Sequence, residues 1–125
     1  MEKTDRLNLD YFDYFLITLM DAEKKYDTIA AALADDGAVK SQMFGMPTMK
    51  VGGKAFAGLY EDNMVFKLTG DAHQRALALK GAHLFEPMKG RPMKEWVVVP
   101  ASGAKDWHSL AKEALAYVAS AKKKK

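Results

Sequence analysis

Apolar residues recur at helical spacing towards both ends of this chain and at alternating spacing through its middle. Leu7, Leu9 and Tyr11 alternate, but Tyr11, Phe15, Thr18 and Leu19 follow a helical period, so a first helix is expected from about Leu9 to Met20. Asp21 is placed to cap a second helix reaching about Asp36, with Tyr26, Ile29, Ala30 and Leu33 on one face. Gly37 is its expected stop, although Asp35 and Asp36 stand where the helix dipole disfavours acids.

The period then changes. Met46 to Val51, Lys54 to Tyr60 and Met64 to Leu68 read as three strands of an antiparallel meander. Gly52-Gly53 suits a two-residue turn that needs positive φ, and Glu61-Asp62-Asn63 a slightly longer one. Asp71-x-x-Gln74 has the form of a capping box, opening a short helix that ends at Lys80 and Gly81. A short strand around Leu84 to Glu86, a basic loop "PMKGRPMK" and a strand "EWVVV" stopped by Pro100 follow. A last helix, about Ala104 to Ala119, sets Trp107, Leu110, Ala111, Ala114, Leu115 and Val118 on one face. The expected fold class is α+β, an antiparallel sheet of about four to five strands packed against N- and C-terminal helices.

A chain of 125 residues suits one domain. Residues 1–20 are expected to be an apolar N-terminal extension of helical pattern, residues 21–121 the folded domain, and Lys122 to Lys125 a solvated, mobile tail. The extension has more apolar positions than one stripe can hold. Tyr11, Phe12, Phe15 and Leu16 are therefore candidate oligomer contacts in a homodimer, unless they cover an otherwise bare face of the sheet. Met20 is a candidate alternative start.

The absence of cysteine excludes a disulfide framework, thiol catalysis and thiolate zinc sites, and makes the cytoplasm the default compartment. No leader pattern stands at the N-terminus and no run of about 18 uncharged apolar residues could span a bilayer. The formal charge of +3 depends on the tail, without which 15 basic residues face 16 acidic ones. Residues 1–39 carry 4 basic and 9 acidic residues, and residues 40–121 carry 11 and 7, so the body is polarised rather than basic.

Most catalytic signatures are missing. His73, His83 and His108 lack metal-binding spacing, "GGKA" fails the phosphate-loop pattern at both ends, and no nucleophile elbow or paired acid and base stands out. No catalytic residue, cofactor or metal is expected. The basic residues Lys54, Lys89, Arg91 and Lys94 are candidate contacts for nucleic acid or a protein partner, with the glycine hairpin as a wing. The competing reading is structural. Lys54 guards an exposed strand edge, and Phe44, Phe56, Phe66 and Trp96 are core.

The run "MFGMPTMKVGGKAFAGLYEDNMVFKL", the helix after Asp71, "GRPMKEWVVVP" and the closing tryptophan-bearing helix resemble the TfoX (Sxy) N-terminal-domain family, named for a bacterial regulator of competence. The resemblance covers roughly Tyr26 to Val118. It implies a compact α+β domain similar in build to YjbR-like domains, for which a wing-like DNA-binding surface has been suggested, and no established catalytic residues. Only lysines follow the last helix, so a stand-alone domain without the longer regulators' second domain is expected. The expected function is that of a non-enzymatic bacterial regulatory or interaction domain acting through macromolecular contacts. A nucleic-acid-binding wing module is the alternative, and a small-ligand or enzymatic domain the next.

Overall fold

A single helix, α1 (Tyr11–Ala32), replaces the two helices expected from the N-terminal pattern. It belongs to a computed structural model that describes residues 11–43 and 45–123, with side chains for 21–43 and 45–120. Asp21 lies inside α1 and caps nothing. The segment holds no Gly or Pro, and Tyr11, Phe15, Ala22, Tyr26 and Ile29 keep one helical phase throughout, so nothing forces a break. Ala22, Tyr26, Ile29, Ala30 and Leu33 are buried, as the spacing requires. A 3₁₀ turn, Ala34–Asp36, tightens the end, and Gly37 stops it at φ 101° with its N–H donated to the Ala34 carbonyl. The side chains of Tyr11, Phe12, Phe15 and Leu16 lie outside the described residues.

Six strands follow in one antiparallel sheet of order β1-β2-β3-β4-β6-β5. They are β1 (Val39–Met43), β2 (Met46–Val51), β3 (Lys54–Tyr60), β4 (Asn63–Lys67), β5 (His83–Met88) and β6 (Arg91–Val99). The meander is as expected, and Gly52 and Gly53 take φ 58° and 83° between β2 and β3. Three details differ. The β3–β4 connection is a two-residue turn closed by the Tyr60↔Asn63 pair, with Glu61 itself at φ 58°. The basic loop is a hairpin, because β5 continues to Met88 and β6 begins at Arg91. An additional strand, β1, lies at the sheet's edge, where "VKSQM" has no apolar alternation to announce it.

A short helix, α2 (Gly70–Leu77), is entered through Thr69 rather than Asp71; its N-cap makes no side-chain bond, so no capping box forms. After Pro100 a 3₁₀ stretch, Ala101–Asp106, leads into α3 (Trp107–Lys123), which includes Lys122 and Lys123. The helices bury one face of the sheet. Met49, Phe56, Ala57, Leu59, Met64, Phe66, Val97 and Val99 form the main core with Trp107, Leu110, Ala111 and Ala114 of α3. Trp107 is fully buried, and its Nε1–H donates to the Val99 carbonyl at 3.2 Å.

Tyr26 is the exception in that core. It is 2% exposed, and its hydroxyl has no hydrogen-bond partner among the described residues. Burial, then the charge of Asp27, pushes its pKa above the usual tyrosine value. Because the folded-state value is raised, this group leaves stability unchanged with pH below about pH 10, where unfolded tyrosine titrates, and stability falls as pH rises beyond it. Tyr26→Phe removes an unpartnered buried hydroxyl, so stability at neutral pH is expected to hold or rise by about 1 kcal/mol. Denaturant melts from neutral to strongly alkaline pH check both parts. The natural chain should lose stability more steeply above about pH 10 than the phenylalanine variant.

Candidate functional site

The second face of the sheet carries its own cluster: Met46, Val65, Phe85, Trp96 and Val98 are buried there, with Met43, Ala55 and Met93 packed against them. What closes this face is the β5–β6 hairpin. Leu84 pairs with Val97 but Phe85 pairs with Met93, so Lys94, Glu95 and Trp96 form a bulge on β6. A second irregularity separates Phe85 from the Met88↔Arg91 pair. Bulges bend and twist a hairpin. In a flat sheet β3 and β5 would be about 14 Å apart across β4 and β6. The Tyr60 and Phe85 rings instead meet edge to face, with centroids 5.3 Å apart. The hairpin is curled over the face.

Bonds from α2, from α3 and from the end of β4 meet the bulge. The Lys94 carbonyl accepts the His73 Nε2–H of α2 at 2.8 Å, which fixes that ring's tautomer. The Glu95 carbonyl accepts the Leu68 N–H at 2.8 Å. The Glu95 carboxylate accepts the Tyr117 hydroxyl of α3 at 2.6 Å and lies 3.8 Å from the Lys67 ammonium. That hydrogen bond, then burial and the carboxylate's charge, raises the Tyr117 pKa. Trp96 then points to the second face, where it is 6% exposed. At the hairpin's tip Gly90, at φ 82°, donates its N–H to Glu86 Oε2.

Between the curled hairpin and the sheet lies an open groove of about 500 Å³. Met46, Tyr60, Phe85, Met88, Arg91 and Met93 line it, with Pro87 at the side. Met88 is 65% exposed and Tyr60 40%, so the groove joins buried apolar surface to large apolar side chains in solvent. Arg91 is its charged member. Among the described residues no carboxylate lines it, and Arg91 makes no ion pair with any of them.

The sequence candidates divide accordingly. Lys89, Arg91 and Lys94 all belong to the hairpin and its bulge, and all are exposed. Lys54 does not join them: it begins β3, six residues from Tyr60 and so roughly 20 Å along the strand from the groove's end. Nor does Lys54 guard an edge, because β3 is flanked by β2 and β4; the edges are β1 and β5. Phe56, Phe66 and Trp96 are buried, and Phe44 lies outside the described residues. Met46, Tyr60, Phe85, Pro87, Met88 and Met93 were not candidates. The one sequence signal, for Pro87, Met88 and Met93, is the density of methionine and proline around Lys89 in a stretch expected to be a basic loop.

Other sites have less to offer. A groove of about 620 Å³ between α1 and the start of α3 mixes Asp21 with Lys24, Lys25 and His108. The Arg75 guanidinium is held charged by its 2.8 Å bond to Glu113, an exposed pair joining α2 to α3. Among the described residues no cluster of His, Asp and Glu could hold a metal ion, and no helix is long and apolar enough to cross a membrane. No protein-family model, curated protein or solved structure matches the chain.

Proposed function

We propose that this chain is a non-enzymatic interaction domain of the TfoX N-terminal kind, acting in bacterial regulation in the cytoplasm by docking a protein partner. The observation that carries this reading is the groove under the curled hairpin. It offers methionine and aromatic surface, which adapts to apolar side chains, beside the cation Arg91, which pairs with no described carboxylate. A segment presenting an apolar anchor next to a carboxylate matches it. Affinity capture from a bacterial lysate, with and without nuclease, tests the proposal when natural and Met88→Asp chains are run side by side. The expected result is a nuclease-resistant partner whose capture by Met88→Asp falls at least about tenfold, the effect of losing a buried apolar contact. Equal capture by both chains would remove the groove from the interaction.

Nucleic-acid binding is a second reading, favoured by Lys89, Arg91 and Lys94, which are exposed on one hairpin and form no ion pair with a described residue. It calls for salt-sensitive duplex binding that survives removal of Lys122 to Lys125 and weakens on Arg91→Ala. Binding that disappears with the tail belongs to the tail.

A further inference from the structure

The two edges of the sheet differ. The β5 edge is bent by two irregularities and carries Glu86 and Pro87, devices that keep another strand from pairing. The β1 edge has neither bend nor proline. Its ladder to β2 is regular over five pairs, from Val39↔Lys50 to Met43↔Met46, and no proline interrupts it. Its one charge, Lys40, is drawn to Asp27 of α1 at 2.8 Å. Val39 is 63% exposed.

The backbone orientation of β1 follows from its partner. Gln42 stands opposite Pro47, which has no N–H to give, so that pair is of the non-hydrogen-bonded kind. The N–H and C=O of Gln42, and by alternation those of Lys40, therefore point away from β2. We propose that this edge pairs with the same edge of a second copy of the chain, antiparallel about a two-fold axis at Ser41. Lys40 of each copy then faces Gln42 of the other, and their outward groups make about four hydrogen bonds. Val39 of each copy faces Met43 of the other, on the face opposite Lys40. Neighbouring registers fit less well. An axis at Lys40 would set two ammonium groups face to face, and one at Gln42 would pair Lys40 with a position beyond the strand. The self-complementary register is what an isologous contact requires.

Cross-linking tests the register directly, since the natural chain has no cysteine. Ser41→Cys places two thiols opposite each other across the axis, within the range a disulfide spans, and should give a covalent dimer on mild oxidation. Lys40→Cys and Gln42→Cys set their thiols on diagonal positions about 7–8 Å apart and should cross-link far less. Sedimentation over about two decades of concentration should show a reversible dimer of the natural chain. Gln42→Pro, which removes an outward N–H but no bond to β2, should raise its dissociation constant at least about tenfold. A chain that stays monomeric throughout would overturn the proposal. So would a dimer in which all three cysteine variants cross-link alike, or in which a well-folded Gln42→Pro variant associates undiminished. If Gln42→Pro does not fold, the cysteine series decides.

Discussion

Replacing Trp107 by alanine is expected to destabilise the protein by about 3–5 kcal/mol, a large part of the 5–15 kcal/mol typical of a domain. Trp107 is fully buried where α3 begins, at the junction of the 3₁₀ stretch with the helix. Its loss leaves a cavity beneath the sheet, and it also leaves the Val99 carbonyl without the indole N–H. Both effects fall on one layer. Leu110, Ala111, Ala114 and Val118 belong to the same buried cluster as Trp107. Urea unfolding, followed by the fluorescence of the remaining Trp96 and by far-ultraviolet dichroism, measures the change. A loss below about 1 kcal/mol would mean that the indole is not in the core.

Trp96→Ala should cost about 3 kcal/mol or more, but its consequence differs in kind. Trp96 is the largest buried member of the second-face cluster and belongs to the bulge from which the hairpin curls. Without it the hairpin loses much of its apolar seat. The helical core, with Trp107, Phe56 and Phe66, lies on the other face and is not emptied. The expected result is a protein that still unfolds cooperatively by Trp107 fluorescence, yet gains protease sensitivity around Lys89 to Arg91 and loses partner capture in parallel with Met88→Asp. Unchanged hairpin protection would show that Trp96 does not hold it.

What could be read from the chain was local. The burial of Tyr26, Ile29 and Leu33, and of Trp107 through Val118, follows from side chains three and four residues apart on one helix. The glycine turn at 52 and 53 was legible because only positive φ closes it in two residues. Strand β1 escaped notice because its order comes from pairing with β2, not from "VKSQM" itself. The groove was hidden for a related reason. Phe85 is 25 residues from Tyr60 in the chain, and they meet because a bulge at Lys94 to Trp96 re-aims the hairpin. Nothing in "MKEWVV" announces a bulge, since the bonds that hold it come from His73, Leu68 and Tyr117. Arg91 stands out in the sequence for its charge, and the fold sets it beside methionines and Tyr60.

The curl of the β5–β6 hairpin over the second face underlies both the groove and the function assigned to it, and nuclear Overhauser contacts between aromatic rings test it most directly. With ring centroids 5.3 Å apart, Tyr60 and Phe85 should give strong inter-ring cross-peaks in the natural chain, and these should fade in Trp96→Ala. A sheet in which Val65 and Val98 show their cross-strand contacts while Tyr60 and Phe85 show none would contradict it. The hairpin would then project from the sheet, with no groove beneath it.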